Sequence, residues 1–171
     1  GLTAVESILF SKYLMYRSVY WHKTVRIATA MIKKAVLLAL DQGALRAEQL
    51  YWLDDQEFFA LAAANRFPPL ELAGRVARRR LFKQVASRPL DPADPACGRL
   101  AELSARLAAE QAIAREASRL LGRSVPAWHV IIDLPESISF EIDVPVLDAG
   151  ESRPFADAGS VFTEGTVRGF G

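Results

Sequence analysis

The chain has 171 residues, 51% of them hydrophobic, enough to bury a core and form one domain. A formal net charge of +1 excludes a global field that steers the protein to nucleic acid or membrane, so any anion site has to be a local cluster. A lone cysteine, Cys97, excludes an internal disulfide and a thiolate metal cage and fits a reducing, cytoplasmic compartment.

Residues 2–40 are predicted helical. Val5, Ile8, Leu9, Leu14, Met15 and Val19, then Val25, Ala28, Ile32, Ala35, Val36 and Ala39, recur at helical spacing. The stretch is either one extended helix or two with a kink near Trp21–Thr24; the sequence leaves both open. Residues 1–24 carry charges throughout, which argues against a secretory signal, and the start at Gly1 without an initiator Met suggests a piece of a longer protein. The longest apolar run, Ala35–Leu40, is far shorter than the roughly 18–20 residues of a membrane span. Asp41-Gln-Gly43 ends the helix, with Gly43 suited to a left-handed C-terminal position.

Ala44–Leu53 reads as a short helix or turn. Asp54-Asp55 followed by Glu57 suits an N-cap and an acidic first turn, and Phe58, Leu61 and Ala62 supply a buried stripe to about Asn65. Pro68-Pro69 breaks the chain, and Pro69 can open a helix over Leu70–Arg78. Leu81, Lys83 and Val85 alternate with Phe82 and Gln84, which predicts a short strand. Residues 87–98, with three prolines, are a loop. Arg99–Leu121 is an amphipathic helix capped by Gly122.

The tail changes period. Trp128–Leu134 is predicted as a buried strand, and Ile138, Phe140, Ile142 and Val144 alternate with polar residues as a second. Asp148-Ala-Gly150 reads as a turn and Val161-Phe162 as a further short strand. The predicted class is α+β, mainly helical with a small C-terminal antiparallel sheet. One domain over 1–171 is expected: a helical part at 1–86, the loop 87–98, and a helix plus small sheet at 99–171.

The densest chemistry lies at residues 12–26, where Lys12, Arg17, Lys23 and Arg26 interleave with Tyr13, Tyr16, Tyr20 and Trp21 around His22. On an unbroken helix Lys12, Tyr16, Tyr20 and Lys23 fall within a sector of roughly 80°. An ammonium beside phenols can hold a phosphate and pack against a sugar or base. His22 and Arg26 point to another side, so two sites are implied if both faces bind. The plain alternative is half-buried tyrosines and a solvated cationic face. Arg75, Arg78, Arg79, Arg80 and Lys83 form a second basic cluster, either a solvated face or an anion or RNA contact. The near-zero net charge weighs against a dedicated nucleic-acid binder.

Metal chemistry is poorly supplied. His22 and His129 stand far apart, His129 reads as structural, and the acidic pair Asp54-Asp55 is better explained as a helix cap. No Gly-rich phosphate loop, Gly-x-Ser-x-Gly elbow or Cys/His pair occurs. The chain taken alone has no complete catalytic constellation and calls for no cofactor of its own.

Val5-Glu6-Ser7, Lys12-Tyr13-Leu14-Met15-Tyr16 and Val19-Tyr20-Trp21-His22-Lys23-Thr24 resemble a segment of the HD-domain phosphohydrolases, on the branch of the deoxynucleoside triphosphate triphosphohydrolases. Leu53-Asp54-Asp55, Arg80-Leu81-Phe82-Lys83 and Ile131-Ile132-Asp133-Leu134-Pro135 follow in the same order, so the resemblance spans nearly the whole chain. It implies the C-terminal portion of such an enzyme. Its divalent metal (Mn, Mg, Fe, Ni or Zn) would sit on a His…His-Asp…Asp set upstream. It further implies substrate contacts from Lys12, Tyr16, Tyr20 and Trp21. Lys12 stands where the family usually has Arg, keeping the charge but losing the bidentate fork. His22, Lys23, Arg79 and Lys83 match residues that hold an activating nucleotide at a subunit interface. Implied partners are a dNTP or GTP, the upstream HD segment of the same protein and further copies of the chain. The alternative from another class is a non-catalytic nucleotide-binding or assembly module.

Overall fold

The computed structural model describes residues 2–89, 91, 93–134, 145–148 and 151–155. Chain packing divides the protein into two compact units, residues 23–134 and residues 1–22 with 135–171. Among the described residues no helix is long and apolar enough to cross a membrane.

The unit 23–134 is built on a long helix, Lys23–Asp41 (α2). Met31, Ala35 and Ala39 recur every four residues, so they share one face, and each is wholly buried. The helix ends where Gly43 takes φ +68° and donates its N–H to the Leu40 carbonyl at 3.2 Å, a conformation glycine adopts without a Cβ clash. Asp55–Ala64 (α3) begins at a reciprocal cap: Asp54 Oδ1 accepts the Glu57 N–H at 2.8 Å, and Glu57 Oε2 accepts the Asp54 N–H at 3.0 Å. A 3₁₀ turn at Pro68–Leu70 leads into Glu71–Ala77 (α4). Leu45, Ala62, Leu70, Leu72 and Ala73 close the core over the α2 face. Full burial of Met31, Leu70 and Leu72 contributes about 1.5–3 kcal/mol each.

Pro95–Ala101 (α5) starts on Asp94, whose Oδ1 accepts the Ala96 N–H at 2.8 Å, and Pro95 occupies the first turn where no N–H is needed. The chain breaks at Glu102 and resumes as Leu103–Leu121 (α6), which ends on Gly122 at φ +61°. The expected loop 87–98 therefore gives way to helix at Pro95, and the single helix expected over 99–121 is two.

The other unit holds Leu2–Met15 (α1), continued by a π-helical turn at Tyr16–Tyr20. The undecided kink is here: the helix is interrupted at Trp21–His22, and α2 begins at Lys23. Leu9, Tyr13 and Phe155 are buried. Pro145–Asp148 (β1) pairs antiparallel with Glu151–Pro154 (β2), from Pro145 opposite Pro154 to Asp148 opposite Glu151, and β1 lies against α1.

The expected α+β class is corrected. The described chain is helical, and this ribbon of two four-residue strands stands where no strand was expected and makes no sheet layer. Residues 81–85 form no strand, and the Phe82 N–H goes to Met31 Sδ at 3.3 Å instead of to a neighbouring strand. Residues 127–129 form a 3₁₀ turn and 130–134 form no strand, with the Ile132 N–H on Glu110 Oε1 at 2.8 Å. In both stretches a side chain takes the hydrogen bond that a partner strand would have taken. The strands expected at 138–144 and 161–162 lie outside the described residues, as do positions 149 and 150 of the expected turn.

Candidate functional site

In the unit containing α1, one tyrosine gathers the expected substrate residues. The Lys12 ammonium lies 5.9 Å from the Tyr16 ring centroid, within cation–π range. The Tyr20 ring is 5.1 Å from Tyr16, tilted by 48°, and Trp21 meets Tyr16 edge-on at 6.4 Å. The backbone explains how both rings reach it. Residues five apart on an α-helix point about 140° away from each other. The π-turn, closed by the Trp21 N–H on the Tyr16 carbonyl at 2.7 Å, brings Trp21 back beside Tyr16. Lys12 and Tyr20 are exposed, while Tyr16 and Trp21 are half-buried. The cluster offers an exposed cation, phenolic donors and acceptors, and ring faces.

The expected effector residues are divided between the two units. His22 is exposed and follows the cluster directly, in the unit of α1. Lys23, Arg79 and Lys83 belong to the other unit. The sector containing Lys12, Tyr16, Tyr20 and Lys23 assumed an unbroken helix, and the interruption at Trp21–His22 moves Lys23 onto a different element.

In the unit 23–134, Arg79 and Lys83 flank the end of α4. Arg79 has φ +56°, donates its N–H to the Val76 carbonyl at 2.9 Å, and is followed by the Arg80 N–H on the Arg75 carbonyl at 2.8 Å. That is the Schellman bond pair, with arginine at the left-handed position where glycine is usual. Four residues on, Lys83 is exposed beside a well-held neighbour. Phe82 receives the Arg75 guanidinium on its ring at 5.2 Å and the His129 ring edge-on at 5.9 Å. Trp128 in turn lies 4.0 Å from His129. Partial burial pushes the His129 pKa below its usual value; nearby Glu71 opposes this, and Arg75 and Arg123 add to it. His129, itself exposed, thus meets both Phe82 and Trp128 through its ring. Phe82, Arg75 and Met31 were missed as supports of the basic cluster, although the Leu-Phe-Lys run was the signal that marked the place.

Among the described residues no three His, Cys, Asp or Glu side chains come close enough together to hold a metal ion. A groove of about 610 Å³ between α2, α6 and the turns at 68–70 and 127–129 is lined by Lys34, Leu38, Phe67, Leu107 and Trp128 and contains none of the expected site residues.

The sequence profile of the family described as "HD associated region" matches residues 1–164. An uncharacterized protein of Methanocaldococcus jannaschii is 39% identical over 85 residues, covering 50% of this chain and 18% of that protein. The chain thus spans less than two thirds of that relative's length. No solved structure matches.

Proposed function

The chain belongs to the HD associated region family, and from that premise we propose that it is the C-terminal part of a metal-dependent HD-family (deoxy)nucleoside triphosphate phosphohydrolase. The observation that carries this reading is the cluster in which Lys12, Tyr20 and Trp21 all converge on Tyr16. In the proposed reaction the Lys12 ammonium faces substrate phosphate and stabilises the charge that develops there. Tyr20 contacts the sugar, and Tyr16 with Trp21 walls the pocket. The metal and the water it activates belong to the HD segment of the same protein, the partner in this reading.

The surface of α1 supports such a partner. Ile8, Phe10, Leu14 and Met15 are exposed on a helix whose Leu9 and Tyr13 are buried, so apolar side chains face outward as well as inward. Phe10 with Leu14 and Ile8 with Met15 lie on either side of the exposed Ser7 and Ser11, and exposed apolar pairs of this kind suit a face covered by another segment. His22, Lys23, Arg79 and Lys83 take the second role, an effector nucleotide held at an interface between copies of the protein.

The test is phosphate or triphosphate release from dNTPs by the full-length protein with Mn²⁺, Mg²⁺, Fe²⁺, Ni²⁺ or Zn²⁺. Lys12→Ala is expected to lower kcat/KM by roughly 10²-fold with the melting temperature unchanged, and Lys12→Arg to retain most activity. Absence of turnover with every metal would leave a nucleotide-binding or assembly module without catalysis.

A further inference from the structure

Arg79 and Lys83 differ in how the fold holds them. Arg79 is fixed by backbone: its left-handed φ and the bonds from Arg79 and Arg80 lock it to the last turn of α4. Lys83 lies in residues 80–89, which form neither helix nor strand. Leu81 and Phe82 are the side chains of that segment that pack against the core. Phe82 is held on three sides: its N–H on Met31 Sδ at 3.3 Å, Arg75 over its ring and His129 at its edge. Beyond it, Gln84 makes a local contact, from Nε2 to the Ala86 carbonyl at 3.4 Å, and Val85 is 97% exposed.

Phe82 packs against the core while its neighbour Lys83 is exposed. Anchoring Phe82 therefore anchors the point from which Lys83 reaches into solvent. A polyphosphate bridging two cations needs that point held, because misplacement of a contact group by about 1 Å is felt strongly.

We infer that Phe82 is the positioning residue of the Arg79–Lys83 site, anchoring the point from which Lys83 meets a nucleotide phosphate. The inference rests on the reading of Arg79 and Lys83 as a nucleotide-effector site. Arg75, Met31 and His129 act through Phe82 as its supports.

The experiment uses the full-length protein with GTP as probe. Phe82→Leu keeps the apolar bulk at the core edge and removes the ring; Phe82→Tyr keeps the ring. Phe82→Leu is expected to weaken GTP binding on the order of tenfold and to speed amide exchange across residues 80–86, whereas Phe82→Tyr behaves like the parent. Lys83→Ala is expected to weaken binding as well, and Phe82→Leu with Lys83→Ala together to bind no more weakly than Lys83→Ala alone. A merely structural role would give additive losses. Additive losses, or unchanged exchange at 80–86 with intact GTP binding in Phe82→Leu, would overturn the inference and leave the effector reading standing. Failure of the parent protein to bind GTP would instead remove the effector reading and this inference with it.

Discussion

Lys34 and Glu110 form an ion pair sealed from water, with side-chain exposures of 6% and 4%, and it joins α2 to α6. Glu110 serves a third segment as well, since its other oxygen accepts the Ile132 N–H at 2.8 Å. Immediately beyond, Asp133 accepts from Arg26 Nε at 3.0 Å. The Ile-Ile-Asp-Leu stretch is thus tied at two points, to α6 and to α2.

Removing one partner of a sealed pair leaves the other charged in a dry site, which typically costs about 3–5 kcal/mol. Lys34→Met should lower the urea-unfolding free energy by about that amount. Adding Glu110→Gln should recover part of the loss, because the amide is neutral yet keeps an oxygen for the Ile132 N–H. A double variant no more stable than Lys34→Met would show that the pair's charge is not what makes the single change costly.

Arg79 carries a stability penalty for its position. A non-glycine residue in left-handed backbone costs roughly 1–2 kcal/mol, and nothing in the Schellman bonds requires a side chain there. Arg79→Gly should therefore hold or raise the unfolding free energy, by up to about 1 kcal/mol, while weakening GTP binding by the full-length protein. Stability gained with affinity lost is the outcome expected of strain kept for function. A loss of stability in calorimetry would instead assign Arg79 a structural role.

Much of this was legible in the sequence wherever a local cause acts. Asp54 with Glu57 begins a helix, and the glycines at 43 and 122 end helices, through backbone groups within a few residues of themselves. The residue sets around Tyr16 and after α4 were legible too, because cations interleaved with aromatics stand out in composition. The π-turn was not, since no proline or glycine marks Tyr16–Tyr20. Nor could the patterns at 81–85 and 128–134 distinguish a strand from irregular chain. That difference depends on Met31 and Glu110, which lie 51 and 22 residues from the N–H groups they satisfy. Arg79 gave no sign because left-handed backbone is normally announced by glycine or asparagine.

His129 gives a pH dependence with a defined sign. Burial against its neighbours depresses its folded pKa below the ordinary value of 6.5, with Arg75 and Arg123 adding to the effect and Glu71 opposing it. Between the two pKa values the unfolded chain binds a proton that the folded chain does not. The neutral imidazole's contribution is complete above about pH 6.5 and is lost as pH falls through the folded pKa. Urea midpoints taken from pH 7.5 down to 5 should decline more for the parent than for His129→Gln, whose side chain stays neutral throughout. Parallel curves would count against a depressed pKa at this ring.

Tyr16 is the hub of the candidate substrate cluster, so its ring and its hydroxyl can be separated. Ring pairs of this geometry contribute about 0.5–1.5 kcal/mol each, and Tyr16 makes two, with Tyr20 and Trp21. Tyr16→Ala removes both pairs and the face over which Lys12 sits, and should raise KM for a dNTP in the full-length protein by roughly 10- to 100-fold. Tyr16→Phe keeps every ring contact and should stay within about threefold of the parent. The backbone bond from the Trp21 N–H to the Tyr16 carbonyl does not depend on either side chain, so the π-turn itself should persist in both variants. Equal losses in the two variants would assign the contribution to the Tyr16 hydroxyl, and the cluster would then act as a hydrogen-bonding site in place of a stacking one.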